Sequence, residues 1–586
     1  MPLGQVSTAS CLSHYTVTDM VSSGGPFELT SERLGCLPVL SHFLERVGLD
    51  EILGRYLPAH DARLRVAPGT VVGVVVRNIV CSHRPLYALG EWAKPYAPAL
   101  LGLVDSSVLN DDRVGRALDR LFDADRASLL TETVLGAVRA FGIDCSELHN
   151  DSTTVTFTGG AYDDATTVRG GVKAPVVTFG HNKDFRPDLR QLVYVLTISA
   201  DGAVPVALRI ADGNTNDDVT HVPTWDGLVA LFGQRNFVYV ADAKLCSSKA
   251  MGHIASNGGR FVTVVPHGRR EDKWFKDWIQ THAPSWEEAD RLPGLRRDDP
   301  ERVWLTFPAP VPSADGYRVI WVHSSQKAAR DAAARAARIE AGLAAIDALE
   351  ARLVAPRSRL RTTVAVEEAA AAALDAARAT RWVRAKVTEE TKETFAQERR
   401  GRPGSDTRYR RQQKTVFHVV AQVDADTVVY DARTDGLFPL ITNDTEMTPT
   451  KVLAAYRYQP NLERRHHVLK GPQEVAPVYL ETPHRIEALL TCHFFAQLTE
   501  ALIEREIRGA MREQGLKGIA LYPELRNCSA PSAERVLEIF DDVTRHRLMS
   551  GDEVAQVFDP ELSPLQLQVL ELLHVPAEVY ASSEAK

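Results

Sequence analysis

With 586 residues the chain is too long for one compact core, and roughly 150 residues per domain suggests about four units. Its 44% apolar and 25% charged residues are those of an ordinary soluble globular protein, and a net charge of -8 argues only weakly against a nucleic-acid partner, because a local basic groove can hold phosphates. Seven cysteines without a Cys-x-x-Cys pair argue for a reducing compartment and against structural zinc. With no 18-residue apolar run and no leader pattern, the expectation is a cytoplasmic protein with no membrane contact.

Residues 1 to about 25 are rich in Ser, Thr and Gly and read as a loose lead. From 37 to 57 apolar residues recur at helical spacing (Leu40, Phe43, Leu44, Val47), and similar patches continue to about Phe141. An all-helical N-terminal domain over 1–145 is therefore predicted, without a clean helix-turn-helix. Strand signals dominate from about 147 to 265. The β-branched run 148–157 carries Asp151, and strands follow at 191–199 and 204–210. A helix over 219–232 leads into the strand 237–242, which ends on Asp242. A helix at 247–256 and a strand at 260–265 complete this part, 146–270.

The stretch 271–414 reads as an insertion. Segments 303–307 and 317–324 form a hairpin pattern. Ile339, Leu343, Ile346, Leu349 and Leu353 then mark a narrow apolar seam, spaced 4, 3, 3 and 4, as in an antiparallel helix pair. Pro356 breaks that helix, and an Ala-rich partner is expected from about 364 to 387. Arg399, Arg400, Arg402, Arg408, Arg410, Arg411 and Lys414 surround Gly401, Pro403 and Gly404, which reads as a flexible cationic loop. It suits either DNA phosphates or a solubilising linker. Strands resume at 416–423 and 427–430 within a segment 415–520. A helix starting near Pro460 carries Glu463, and another spans 485–508. Residues 521–586 read as a C-terminal appendage.

Asp151, Asp242 and Glu463 sit in three different settings, two strands and a later helix. Hard divalent cations take oxygen ligands, and a two-metal clamp on a phosphodiester needs few protein carboxylates. At this point the chain resembles a family. Tyr456, Gln459, Glu463 and Lys470 match the Tyr-x2-Arg-x3-Glu-x6-Lys signature of DDE transposases of bacterial insertion sequences, with Gln459 where that family has Arg. The stretches 181–189, 212–217, 32–35 and 84–92 resemble the same branch.

The resemblance implies an α/β fold: an RNase H-like mixed sheet flanked by helices, interrupted by a largely helical insertion, behind an all-helical N-terminal domain that binds transposon ends. It implies Asp151, Asp242 and Glu463 as catalytic metal ligands for two Mg²⁺ ions, with Mn²⁺ able to substitute, Asp151 bridging both. The partner it implies is double-stranded DNA, terminal inverted repeats and target, engaged by a homodimer that is nucleoid-associated when bound. Tyr456, Lys470, Arg464, Lys183 and Arg186 are the expected DNA contacts. For several of these a plainer reading stays open. Lys470 suits a phosphate or bulk water, Tyr456 a buried aromatic, and Arg464 and Arg465 surface charge. Lys183, Arg186, His181 and Asp188 suit DNA or a salt network, and His466 and His467 the surface. Two other functions also stay open: a metal-dependent nuclease of the same fold without strand transfer, and a catalytically silent DNA-binding descendant.

Overall fold

The computed structural model describes residues 27–59, 64–158, 162, 165–294, 296, 298–355, 360–473, 475, 480–522, 524 and 526–582. The expected lead at 1–25 and the break at Pro356 lie outside them. The chain divides into two compact units, one from residues up to Gly136 together with those from Leu498 onward, the other Ala137–Gln497. The boundaries expected at 145 and 520 thus give way to one unit built from both chain ends.

That first unit is helical over Leu37–Val47, Leu49–Tyr56, Pro68–Cys81 and Asp111–Asp123. It is not all-helical. Phe27–Arg33 pairs antiparallel with Thr544–Ser550, which pairs with Glu553–Phe558. The Tyr580 hydroxyl donates to the Gly35 carbonyl at 2.9 Å, and Arg77, only 6% exposed, is neutralised by Asp50. Cys36 and Cys81 are free thiols with their sulfurs 2.9 Å apart.

The second unit is mixed α/β, a large mixed sheet flanked by helices. Its strands are β1 (Glu147–Phe157), β2 (Arg190–Ser199), β3 (Pro205–Ala211), β4 (Val238–Ala241), β5 (Arg260–Val264), β6 (Glu287–Leu292), β7 (Arg302–Pro308) and β8 (Arg318–Ser324). After them come β9 (Val383–Gln397), β10 (Tyr409–Val423) and β11 (Leu437–Thr442). The nine-stranded sheet runs β3-β2-β1-β4-β5-β11-β8-β7-β6. β1 pairs parallel with β4 and β4 with β5, while the other neighbours are antiparallel. β1 and β2 are buried along nearly their whole length, as central strands covered on both faces are. The hairpin β7–β8, expected within a separate insertion, instead extends the sheet through β11. Val240, Val262, Ile320, Val322 and Leu440 pack there under Val452 and Leu453.

The helices of this unit are α1 (His221–Phe232), α2 (Ser248–Ser256), α3 (Arg270–Trp278), α4 (Ser325–Val354), α5 (Thr363–Ala376), α6 (Ala425–Ala432), α7 (Pro449–Arg457) and α8 (Gln459–Lys470). A ninth, α9 (Pro483–Glu513), runs on past Gln497. It is apolar and long enough to cross a membrane, but 94% of its most apolar window is buried inside the protein, as a core helix is. α4 and α5 form the expected pair, with Ile346, Leu349 and Leu353 buried against Val366, Ala370 and Leu374.

The second helix ends at Ala376, well short of 387. Beyond it, Val383 begins β9, which pairs with β10 over fifteen residues, from Val383 opposite Val423 to Gln397 opposite Tyr409. The insertion is therefore a helix pair carrying a β-ribbon. Arg410, Arg411 and Lys414, expected in a loop, lie on β10. The strand expected at 427–430 is helix α6, because the Asp424 side chain accepts from Thr427 N and caps a helix there.

Candidate functional site

The site grows from the end of the parallel pairing. β1 and β4 stay in register up to Asn150 opposite Ala241, and the next residue on each is an acid, Asp151 and Asp242. β4 stops there while β1 continues, so the two acids stand side by side at the strand end, the position at which α/β sheets generally offer a crevice. Burial pushes the Asp151 carboxyl above the usual range, although Lys183 pulls it back. Burial also raises Asp242, and the charge of Asp151 adds to it.

Lys183 organises the opposite wall. Its ammonium lies 3.3 Å from Asp151 Oδ1 and 3.3 Å from Asp217 Oδ2, and donates to the Ser152 hydroxyl at 2.8 Å. The Ser152 hydroxyl in turn donates to Asp217. Burial lowers the Lys183 pKa, but Asp151 and Asp217 outweigh it and hold the ammonium protonated. Asp217 belongs to the stretch 212–217, whose composition alone gave it no role.

Backbone contacts fix this wall. Asn182 donates to Gln191 Oε1 at 2.8 Å and accepts from the amides of Asp184 (2.8 Å) and Arg186 (3.1 Å). Gln191 Nε2 donates to the Gly213 carbonyl at 2.7 Å. A Cβ on Gly213 would stand 2.0 Å from the Gln191 oxygen, and one on Gly180 2.0 Å from the Gly213 oxygen. Both positions need glycine for close approach. The Lys470 ammonium holds both oxygens of Asp184 at 2.7 Å, so Lys470 tethers this turn instead of standing free. Arg186 is exposed and clasps Asp188 with two hydrogen bonds.

Helix α8 packs against β1 and carries Glu463, which is exposed, as is Arg464. Its buried face is Leu462, Arg465, His466 and Leu469. Arg465 and His466 were expected at the surface. Arg465 is 2% exposed and donates from Nε to the Ala203 carbonyl at 3.0 Å and from Nη2 to Gly202 at 3.2 Å. His466 Nδ1 lies 3.8 Å from Asp151 Oδ2, and its Nε2 is buried without a hydrogen-bond partner. Burial, then the charges of Lys183 and Lys470, push its pKa down to about 3, so the imidazole is neutral. His467 is exposed.

Gln459, which replaces the Arg of the signature, places Oε1 3.0 Å from Nδ1 of the fully buried His149, whose Nε2 meets Glu147 at 2.9 Å. That contact ties the start of α8 to β1. Tyr456 lies in the last turn of α7, half-buried against Phe438. Burial, then Asp242 and Glu463, push its hydroxyl up to about 12, so it stays a neutral donor.

The donor set of Asp151 and Asp242 suits a hard divalent cation. Among the described residues, no three His, Cys, Asp or Glu side chains gather closely enough to hold a metal ion. The match to such an ion is thus one of donor chemistry, without a three-carboxylate cage among the described residues.

A pH signature follows in the metal-free protein. A carboxyl whose folded pKa is raised supplies stability below its unfolded pKa and loses it as pH rises through the folded one. Asp242→Asn keeps an acceptor for Lys244 N and removes the buried charge. The variant is expected to be more stable than wild type at pH 7–8, with the gain fading in acid. Thermal melts of both proteins across pH check this; a variant less stable at every pH would contradict it.

Residues 29–135, in the first unit, match the family described as "Domain of unknown function (DUF4277)". No curated protein matches the chain. Among solved structures it is similar to a piggyBac transposase in a synaptic complex with hairpin DNA, at 12% identity and a TM-score of 0.27. The likeness covers 51% of this chain and 63% of that one, less than two thirds of its length. At that level it transfers no residue role to the crevice.

Proposed function

We propose that this chain is a DNA transposase of the DDE kind, cutting at the ends of a mobile element and joining the 3′ ends to target duplex. The observation that carries the reading is the emergence of Asp151 and Asp242 side by side from adjacent parallel strands. The first five strands of the unit lie in the order third, second, first, fourth, fifth, and only the second runs antiparallel to the other four. That order supports reading the unit as an RNase H-like core. In this reading Asp151 and Asp242 would hold divalent cations, Mg²⁺ or Mn²⁺, with Glu463 as the third carboxylate. The chemistry such ions supply when bound is a lowered pKa for the attacking water or 3′-hydroxyl and charge stabilisation at the leaving oxygen.

The chain's own residues set the stage for that chemistry. The backbone of Ser152 donates to Asp151 Oδ1 and fixes the carboxylate's direction. Lys183 and Asp217 form the wall facing it, and in this reading a phosphodiester would approach Asp151 and Asp242 from the side away from that wall. The neutral Tyr456 hydroxyl is a donor for a phosphate oxygen. Two observations favour a second reading, a DNA-binding protein without chemistry: Lys183 already occupies Asp151, and among the described residues no three-ligand cage is formed.

The test is an in vitro reaction with Mg²⁺, target plasmid and the inverted repeats flanking the coding region. Cleavage with joined ends is the expected product. Cleavage without joining would make the protein a nuclease, and binding alone would favour the second reading.

A further inference from the structure

The β9–β10 ribbon is anchored at one end and bare at the other. At its base Val383, Phe417 and Val419 pack with Leu349, Leu353 and Leu374, and Glu350 accepts from Val419 N and bonds His418, both at 2.7 Å. From Glu389 to Phe395 on one strand and Tyr409 to Thr415 on the other, every residue is exposed. Nine residues from Glu389 to Gln397 reach about 30 Å past the anchored base. An isolated two-stranded ribbon with no apolar face has little to stabilise it alone.

Its charges are segregated. Between 398 and 414 stand seven Arg or Lys residues against only Glu398 and Asp406. Arg411 is taken by Glu393. Among the described residues, Arg399, Arg400, Arg402, Arg408, Arg410 and Lys414 have no carboxylate in ion-pair reach. Directly opposed residues of an antiparallel pair share a face. One face therefore carries Lys392 opposite Lys414, Thr394 opposite Gln412 and Ala396 opposite Arg410. Like charges placed directly opposite destabilise a ribbon by themselves. Glu390, 3.2 Å from Lys392, offsets part of this repulsion, and a polyanion would relieve the rest. The tip adds a basin of about 700 Å³ where Arg399, Arg400, Arg402 and Arg408 outnumber the acids Glu398 and Asp406.

We propose that this ribbon is a DNA-binding arm that lies in the major groove of a duplex, its basic tip on the phosphates. The major groove is about 12 Å wide and admits a two-stranded ribbon, whose strands lie about 4.8 Å apart. The exposed Tyr409 and Phe395 at the outer end supply apolar contact beside the arginines. The inference takes its partner from the proposed function and adds where on the chain the duplex is gripped. The crevice carboxylates play no part in it.

The experiment measures binding of the full chain to a fluorescent duplex of about 30 base pairs over a range of salt, a length spanning roughly three turns of groove. The variants replace Arg399, Arg400, Arg402 and Arg408 together, once by Gln and once by Lys; unchanged melting curves confirm that each folds. The Gln variant is expected to bind at least tenfold more weakly at low salt. Its log–log salt slope should be shallower by about 3, from roughly 0.9 per lost phosphate contact. The Lys variant should stay within about threefold of wild type, since phosphate neutralisation needs charge more than shape. Wild-type affinity and slope in the Gln variant would overturn the inference, as would failure of the wild type to bind duplex DNA. If the Gln variant binds normally while joining proceeds, the ribbon falls and the proposed function stands. If binding depends on the ribbon but Mg²⁺ never yields cleavage, the proposed function falls and the ribbon stands.

Discussion

Asp151→Asn is expected to abolish cleavage and joining of DNA ends, by about 10³-fold or more, a loss of roughly 4 kcal/mol of transition-state stabilisation. Duplex binding should remain within about twofold, since phosphate neutralisation falls to Lys and Arg elsewhere. The amide preserves the side chain's volume and an acceptor for Ser152 N. What it removes is the negative charge, and a hard cation binds a neutral amide oxygen far less well than a carboxylate. Lys183 keeps Asp217 as its partner, so the wall facing the crevice stays intact. Single-turnover cleavage of a labelled end, with anisotropy on the same duplex, separates chemistry from binding. Retained joining at saturating Mg²⁺ would remove Asp151 from the catalytic set.

Gly213→Ala is expected to be the most damaging substitution of one small residue outside the carboxylates. Its Cβ would lie 2.0 Å from the Gln191 carbonyl oxygen and 2.5 Å from that of Thr178, both backbone atoms that no rotamer change can move. Relief requires prising apart the stretch 212–217 and the start of β2, which breaks the Gln191–Gly213 and Asn182–Gln191 hydrogen bonds. A cost of about 3 kcal/mol follows from overpacking, at the upper end of its usual range. The displaced wall carries Lys183 and Asp217, so activity should fall along with the melting temperature. Scanning calorimetry shows whether the transition moves by about 5 °C or more. The comparison variant Gly227→Ala, where a Cβ meets nothing within 4 Å, should leave it in place.

The parts of the fold that were legible from sequence are those whose pattern is local. The β-branched run ending at Phe157 reads as a strand because ten consecutive residues agree, and the seam from Ile339 to Leu353 reads as a helix by its spacing. The ribbon was missed because β9 is mostly Thr, Glu and Lys on both faces beyond Val387, so an exposed strand there looks like a polar helix. Phe27–Arg33 has its partner more than five hundred residues away, and no local pattern reports that pairing.

The site divides in the same way. Asp151 and Asp242 were visible as acids on strands. The pairing of Lys183 with Asp151 and Asp217, by contrast, exists only once β1, the 182–186 turn and the 212–217 stretch meet. His466 and Arg465 were misjudged because charged side chains were assigned to water. Their spacing with Leu462 and Leu469 marks the buried face of α8, and that was the overlooked signal.

The central claim is that Asp151, Asp242 and Glu463 act as one cation site, and counting bound Mn²⁺ by electron paramagnetic resonance in the presence of a pre-cut duplex end tests it most directly. Wild type, Asp151→Asn, Asp242→Asn and Glu463→Gln would be titrated side by side with Glu446→Gln, which alters an exposed acid in the turn after β11. The account predicts that each of the first three substitutions lowers Mn²⁺ affinity at least about tenfold, the loss of one anionic oxygen ligand, while Glu446→Gln binds as wild type does. Wild-type Mn²⁺ binding in Glu463→Gln, with the loss appearing in Glu446→Gln instead, would contradict it.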